Sequence, residues 1–405
     1  MSLLYSGDKK LAFLRMEITL QEILIQLTQR LGPLSETAVL DAQVLVAHHL
    51  GKSRTWVMSH PEALIYETQY KEILESTHRL EKGELLPYVL GHWEFYGLDF
   101  DLTQDVLIPR PETELLVERA IRWLSIHPNQ HRVVDVGTGS GCIGIAIAKN
   151  VPDVQVVMAD ISLAALLIAR RNADKHGILD RSVFMQADLL AGLPGPFDLI
   201  CANLPYIPSQ ELNQLRVAQS EPRLSLDGGS KGIETISRLI EETKGRLIAG
   251  GLLLLEIEAS QGIALNELAF SEFPQSNVHL LQDLAGKDRC LEIERPNRIV
   301  HLCTPLEWQN HREGEDFREP SLDQEGFIHC SQPEQILEVA NRYYQGNLEM
   351  VVLWINPEKL LSKIRWELAG SSYYPHVYGP INPEAIEATT PLQIGRDGIY
   401  RDIFS

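Results

Sequence analysis

The run Val133-Val134-Asp135-Val136-Gly137-Thr138-Gly139-Ser140-Gly141 places three glycines, two residues apart, after an apolar strand pattern and before a helix-forming segment that begins near Cys142. Glycine at a strand-to-helix turn admits positive φ and lets a ligand approach the main chain. The first turn of the following helix offers unpaired N–H groups. The spacing is GxGxG rather than GxGxxG, and no Lys-Ser/Thr follows, which excludes a P-loop. Around this unit the pattern repeats. RVVDV, VQVVMAD, SVFMQAD, FDLICAN and GGLLLLEIE are candidate strands, with helical stretches between the earlier ones. Such alternation predicts a parallel sheet covered on both faces, an α/β fold. KDRCLEIE is expected as a final antiparallel edge strand.

The chain has 405 residues, enough for two or three domains. Residues 17–82 read as a small helical bundle. Ile18, Ile23, Leu24, Leu27 and Leu31 recur at helix spacing, and Gly32-Pro33 breaks that helix. Ser35 with Glu36 starts a second helix carrying Ala38, Leu40, Ala42, Leu45 and Val46, and a third spans Glu67 to Glu81. Residues 1–16 form an N-terminal extension. Residues 83–109 alternate and are rich in aromatics, as in HWEFYGLDFDL, so a hairpin connector is expected. Residues 110–296 hold a helix over Glu112 to Trp123 and then the α/β pattern, up to a boundary at Arg295-Pro296-Asn297. Residues 297–405 form a small α+β domain, with strands RIVHLC and MVVLWI and a helix from Pro333 to Tyr344.

Several function classes are excluded. Apolar runs such as Gly251 to Leu255 are far shorter than the about 20 residues a bilayer span needs. The start of the chain lacks the apolar core of a secretory signal. Net charge is −19, from 36 basic and 55 acidic residues. A surface of that sign opposes stable, sequence-blind binding to nucleic acid. The five cysteines are widely spaced, odd in number and form no CxxC pair. That fits reduced thiols in a cytoplasm and argues against a zinc site; no metal is expected.

Gly137, Thr138, Gly139, Ser140 and Gly141 are the candidate ligand loop. The next strand ends in Asp160, whose carboxylate can accept two hydrogen bonds from ribose hydroxyls. SVFMQAD ends in Asp188, placed to accept from an adenine amine, with Leu189 beside it as apolar cover. The competing role for each aspartate is a helix N-cap. Two carboxylates at successive strand ends behind a glycine loop point to a nucleoside site, for NAD or S-adenosyl-L-methionine. The loop DVGTGSG resembles the methyltransferase version.

FDLICAN runs into Asn203-Leu204-Pro205-Tyr206 at the sheet edge where ligands of open α/β sheets bind. The Asn203 side-chain oxygen and the Leu204 carbonyl can each accept one N–H of a planar –NH2 group, and the Tyr206 ring can stack on it. The competing role is an ordinary loop with a buried tyrosine. An amide nitrogen is a poor nucleophile because its lone pair is delocalised into the carbonyl. Two acceptors on its N–H bonds raise the electron density at nitrogen and stabilise the charge that develops as a methyl group arrives. On this reading no His or Glu base is required.

LIPRPETELLVE (107–118), VVDVGTGSGCIGIA (133–146) and ANLPYIP (202–208) together resemble the release-factor glutamine methyltransferase family (HemK/PrmC type). DAQVLVAHHLGKSRTWVMSHPE (41–62) is similar to that family's helical N-terminal domain. The resemblance implies a Rossmann-like S-adenosyl-L-methionine-dependent sheet behind a substrate-recognition domain at 17–82. It implies N5-methylation of the glutamine in the Gly-Gly-Gln loop of class 1 peptide chain release factors. By motif, Gly137 to Gly141, Asp160, Asp188, Leu189 and Asn203 hold the cofactor, and Asn203 to Tyr206 hold the glutamine amide. Phe95 and Phe100 are candidates for the pocket wall or for the core. Arg110 and Glu112 either organise the cofactor edge or pair with each other. One departure is Leu204, where the family has proline; a carbonyl acceptor survives that exchange, though rigidity is lost. N-L-P-Y is also the form of ribosomal RNA adenine dimethyltransferases, so N6-methylation of adenine in RNA or DNA is the alternative, beside a non-catalytic binder of the cofactor.

In residues 297–405, HLCTPLEW, GFIHCS, IRWE and YPHVYGPIN resemble a small bacterial domain family of unknown function. His301, His329, Glu367 and His376 either converge into a site or stabilise an aromatic-rich core.

Overall fold

A computed structural model describes residues 18–401 except 312, 313, 347, 348, 371 and 396. The expected extension over residues 1–16 lies outside the described residues. The chain divides into two compact units, one reaching to Trp93 and including Asp101–Gln104, the other containing Glu94–Phe100 and the chain from Asp105 onward.

The first unit is helical. A short antiparallel pair, β1 (Ile18–Thr19) with β2 (Leu64–Ile65), ties its ends. Helix α1 (Leu20–Leu31) starts at a capping box in which Thr19 and Glu22 satisfy each other's main-chain N–H. Helix α2 (Ala38–Leu50) stops at Gly51, which is left-handed at φ 60°. Then follow α3 (Arg54–Ser59), α4 (Glu67–Glu81) and α5 (Leu86–Leu90). Of the residues that helix spacing marks, Ile23, Leu27, Leu31, Ala38, Ala42, Leu45 and Val46 lie in the buried core, joined by Ile73, while Ile18 and Leu24 are partly buried and Leu40 is exposed. Helix α5 lies inside the stretch expected to be extended. Pro87 fits the first turn of a helix, and Gly91 at φ 77° ends it after five residues. The expected hairpin follows, β3 (His92–Phe95) and β4 (Leu98–Asp101), with Tyr96 and Gly97 both at positive φ in its turn. The boundary between the two units passes through this hairpin.

The second unit is built on a seven-stranded sheet. Its strands are β5 (Arg132–Val136), β6 (Gln155–Asp160), β7 (Ser182–Gln186), β8 (Phe197–Ala202), β9 (Leu247–Glu256), β10 (Asn277–Gln282) and β11 (Asp288–Glu294), in the order β10-β11-β9-β8-β5-β6-β7. β5 to β9 run parallel, and β11 and β10 are antiparallel additions. Helices α6 (Glu114–Ile126), α7 (Cys142–Asn150), α8 (Leu163–Lys175), α9 (Ser209–Leu212), α10 (Glu234–Thr243) and α11 (Gly262–Glu272) connect the strands. The central parallel strands β5, β8 and β9 bury both faces, as their near-continuous apolar runs require, while β7 lies at the edge and is partly exposed.

One strand position differs from expectation. KDRCLEIE forms β11, which is antiparallel but lies inside the sheet between β9 and β10. Four successive residues of it, Cys290 to Ile293, are buried, which only an internal strand can sustain. Glu292 is tolerated there because Arg119 pairs with it in a two-pronged contact, through Nε and Nη2. β10, with the sequence NVHLLQ, takes the edge on that side.

Beyond Pro296 two small sheets follow. Strands β12 (Ile299–Cys303), β13 (Ile328–His329), β14 (Glu349–Ile355), β15 (Lys363–Ala369), β16 (Ser372–Tyr378) and β17 (Ile386–Gln393) assemble as β12-β14-β17 and β13-β16-β15. They belong to the same compact unit as the seven-stranded sheet. Gln275, just before β10, makes the join. Its side-chain oxygen accepts from Ile364 N at 3.0 Å, and its carbonyl accepts from Trp366 Nε1 at 3.2 Å. The His279 ring packs on Tyr373 with centroids 3.9 Å apart. Among the described residues no helix is long and apolar enough to cross a membrane.

Candidate active site

The glycine loop is organised from beneath by Asp135, the one carboxylate in the apolar strand β5. It accepts from Thr138 Oγ1 at 2.6 Å and from Gly144 N at 3.0 Å. Burial pushes its pKa up to about 6, against those two donors. Gly137 and Thr138 both donate their main-chain N–H to the Ala159 carbonyl, which binds the loop to β6. Thr138 and Ser140 are buried, so their side chains serve the loop itself. Gly139 is the open point. At φ 55°, a β-carbon there would meet nothing nearer than the Gly137 carbonyl at 4.0 Å. Within the loop, Gly137 and Gly141 are packed against Leu204 and Ile145, and Gly139 is where the main chain is uncovered.

Asp160 ends β6 beside this loop. One carboxylate oxygen accepts from Gly139 N at 2.9 Å and the other from Ser162 N at 2.8 Å. The N-cap of α8 is Ser162, which accepts from Ala165 N, so Asp160 does not have that role. A carboxylate has about four lone-pair positions, which leaves acceptor capacity for hydroxyl groups. Burial raises its pKa, opposed by the main-chain donors. Asp188 follows β7. Its carboxylate is 53% exposed and takes Arg238 Nη2 at 2.9 Å. Leu189, at φ 52°, turns the chain sharply, and its side chain joins the core cluster of the sheet.

Asn203 follows β8 and its Nδ2 donates to Thr113 Oγ1 at 3.0 Å. Thr113 is buried at the end of a short helical turn, Pro111–Thr113, in the PRPETE stretch. Leu204 is 4% exposed, and its side chain fills the space where a β-carbon of Gly137 would lie. The loop is held from behind by Gln261, whose Nε2 donates to Tyr206 O at 2.8 Å and to Gly232 O at 3.0 Å. Gly228 approaches Pro205 and Tyr206 so closely that a β-carbon would sit 2.7 Å from the Pro205 carbonyl. Tyr206 is half-buried, and burial with the nearby Glu256 carboxyl pushes its hydroxyl up to about 12, so it stays neutral.

Three functional residues escape the sequence reading. Thr113 and Glu256 complete a cluster with Asn203, although no acid group was required there. Glu256 ends β9, is buried, and faces the Thr113 hydroxyl and the Asn203 carboxamide. Its Oε2 has no hydrogen-bond partner among the described residues. Burial raises its pKa to about 7, against those two neighbours. The available signal was a glutamate closing the apolar run LLLLE. The third is Glu221, buried in the loop after β8. It pairs with Arg110 and accepts from Ile108 N at 3.0 Å. Arg110 is thus bound to Glu221 rather than to Glu112.

The pocket-wall expectation for Phe95 and Phe100 is corrected. Both are buried, 6.2 Å apart in an edge-on pair, and Phe100 packs on His176. Lys175 and His176, at the end of α8, bind Asp99 at 2.7 and 2.9 Å. These contacts make the two phenylalanines core residues of the hairpin's seat.

In the C-terminal sheets His329, His376 and Glu367 come together. His376 Nδ1 pairs with Glu367, which also accepts from Tyr378 OH at 2.8 Å. The rings of His329 and His376 meet edge-on at 5.1 Å, and Phe327 stacks on His376 at 4.3 Å. His301 lies on the other sheet, buried, donating Nδ1–H to the His329 carbonyl at 2.6 Å. Burial lowers its pKa, which keeps it neutral. Among the described residues no three His, Cys, Asp or Glu side chains are grouped to hold a metal ion. All five cysteines are buried and free.

Three family models match the chain: "PrmC N-terminal domain" over residues 22–91, "Methyltransferase small domain" over 112–230, and "Protein of unknown function (DUF952)" over 302–389. Among curated proteins, the release factor glutamine methyltransferase of Bradyrhizobium diazoefficiens is 41% identical, over 57% of this chain and 78% of that protein. Those of Rhodopirellula baltica and Moorella thermoacetica are each 38% identical. They align over 64% and 67% of this chain and 90% and 97% of their own lengths. Among solved structures, ribosomal protein L11 methylase from Lactobacillus delbrueckii subsp. bulgaricus is similar at 24% identity and a TM-score of 0.36, over 48% of this chain and 84% of that one. Protein CC0527 from Caulobacter crescentus is similar at 26% identity and a TM-score of 0.24, over 26% of this chain and 93% of that one.

Proposed function

The chain belongs to the release factor glutamine methyltransferase family, and from that premise we propose how its cleft performs the reaction. The protein is an S-adenosyl-L-methionine-dependent protein-glutamine N5-methyltransferase that acts on release factors. The substrate atom is the side-chain nitrogen of the glutamine in the Gly-Gly-Gln loop of class 1 release factors. The helical unit, matched by the N-terminal family model, recognises the release factor. The site of action is the cytoplasm.

The residues present fit the cofactor. The open main chain at Gly139 and the spare lone pairs of Asp160 suit an adenosyl group, with Asp160 on the ribose and Asp188 on the adenine amine. Bound there, S-adenosyl-L-methionine supplies a methyl group activated by its sulfonium. The chain's part is to hold the amide in line. Asn203 Oδ1 accepts one N–H of the glutamine and the Leu204 carbonyl accepts the other. Pro205 stiffens that carbonyl and the Tyr206 ring covers the amide plane. The two acceptors favour the charge that develops on nitrogen, and water removes the proton afterwards. Leucine at 204 keeps the acceptor, and its side chain restores through packing on Gly137 some of the rigidity that proline gives elsewhere.

One observation carries this reading: the Asn203 NH2 group is committed inward to Thr113, which leaves Oδ1 as the free end of the carboxamide. The test is transfer from labelled cofactor to a release factor and, side by side, to ribosomal RNA. A singly methylated Gly-Gly-Gln peptide is expected from the wild type, with Asn203→Ala losing most of it. Label in RNA and none in the release factor would replace this reading with adenine methylation.

A further inference from the structure

The orientation of a carboxamide is a choice between two states that differ little in shape but are opposite in hydrogen-bonding sense. At Asn203 the choice decides whether the cleft meets an acceptor or a donor. A donor there faces the N–H groups of the substrate amide and cannot hold them. Something must therefore select the state.

The selecting group is two steps behind the cleft. Asn203 Nδ2 donates to Thr113 Oγ1 at 3.0 Å, so the Thr113 hydroxyl proton needs an acceptor of its own. Thr113 is 2% exposed, and no water-filled surface supplies one. The Glu256 carboxyl, buried at the end of β9, faces both Thr113 and Asn203. A carboxylate is acceptor-only. We propose that Glu256 is a positioning residue: through Thr113 its carboxylate holds the Asn203 NH2 inward and Oδ1 toward the cleft. This rests on the reading that Asn203 grips the glutamine amide, and adds what makes it do so.

The arrangement is reversible by one proton. A protonated Glu256 can donate to Thr113, whose hydroxyl then donates onward to Asn203 Oδ1. The carboxamide turns over and presents NH2 to the cleft. Catalysis then requires ionised Glu256, and turnover rises with pH as that group titrates. The ionisable groups around Glu256 are Glu112, Arg289, Tyr206 and the thiols of Cys142 and Cys290. Tyr206 and both thiols are pushed up by burial and stay neutral through this range. Arg289 stays cationic beside Asp283. Glu112 opposes ionisation, and Arg289 favours it.

The experiment measures kcat and KM for release factor from pH 5.5 to 9 on the full-length protein at saturating cofactor. Wild-type kcat should rise with a midpoint near pH 7. Glu256→Gln and Thr113→Val should each lower the pH 8 kcat by ~10-fold or more, the scale of one misdirected hydrogen bond, with KM little moved. Glu256→Gln should also flatten the acid limb, and Thr113→Ser should restore kcat. A second readout needs no turnover: in 15N-labelled protein the Asn203 side-chain NH2 resonances should titrate with the same midpoint and lose that titration in Glu256→Gln. Variants that keep wild-type kcat and its acid limb, or Asn203 resonances that do not respond to pH, overturn the proposal. A wild type inactive on release factor at every pH instead overturns the functional reading, and the resonance titration then decides the positioning role alone.

Discussion

The Leu204 side chain occupies the volume in which a β-carbon on Gly137 would lie, with Cδ2 2.9 Å from that position. The glycine loop and the N-L-P-Y loop are therefore packed against each other. Gly137 is also at φ 70°, where an L-residue is strained by about 1–2 kcal/mol. Gly137→Ala should destabilise the protein by more than that strain. In a Leu204→Ala background the same substitution should cost less, because the clash is gone. Denaturant unfolding of the four proteins in the cycle measures the coupling, and strict additivity would show that the two loops do not compete for space.

Leu204→Ala by itself separates side chain from main chain. The residue is buried, and truncation of a buried leucine costs about 2–5 kcal/mol. The acceptor offered to substrate is the carbonyl, which alanine retains. Below the unfolding transition kcat should change by less than about threefold, under 1 kcal/mol of barrier. A loss as deep as that of Asn203→Ala would mean that the side chain shapes the reacting geometry.

Asp160 and Asp188 should differ in weight. Asp160→Ala frees the N–H groups of Gly139 and Ser162 as well as removing ligand contacts. Cofactor affinity, measured by calorimetry, should fall ~10-fold or more, as one lost charge-assisted hydrogen bond already accounts for about 1.5–3 kcal/mol. Asp188 is exposed and screened, and shares its charge with Arg238, so Asp188→Ala should cost only a few-fold. The opposite ranking would place the adenosyl group elsewhere along the strand ends.

Glu256 makes stability depend on pH in a definite direction. Burial holds its folded pKa at about 7, above the ordinary 4.5 of a glutamate, so its stabilising contribution is present below about pH 4.5 and is lost as pH rises through 7. Glu256→Gln removes that dependence. Relative to wild type, the variant should gain about 3 kcal/mol between pH 4.5 and pH 8, from roughly two and a half pKa units. Unfolding free energies at both pH values test this, and a difference that does not change with pH would mean that the carboxyl is ionised at no cost.

Gln275 joins the C-terminal sheets to the edge of the seven-stranded one through Ile364 and Trp366. Gln275→Ala leaves the Ile364 N–H without that acceptor, a cost of about 1–3 kcal/mol when such a group stays buried. Amide exchange should quicken along β15 while methyl transfer stays at the wild-type rate. Unchanged exchange would locate the join in the His279–Tyr373 contact instead.

Local chemistry was legible in the sequence. Glycine spacing, period-two and period-3.6 apolar patterns, and caps such as Thr19 with Glu22 act within a few residues, so they place the βα loop, the strand-end aspartates and the helices without knowledge of the fold. What is made between distant segments was not legible. An apolar residue such as Phe95 or Phe100 carries no mark telling core from pocket wall; both are buried against each other, and Phe100 packs on His176. The place of β11 inside the sheet came from pairing with β9 and β10, and Arg110 found Glu221 across more than a hundred residues. Thr113, Asn203 and Glu256 are unremarkable in three separate stretches of sequence. They come together only because the topology sets the ends of β8 and β9 side by side, where Asn203 bonds Thr113 and the buried Glu256 carboxyl lies among their polar groups.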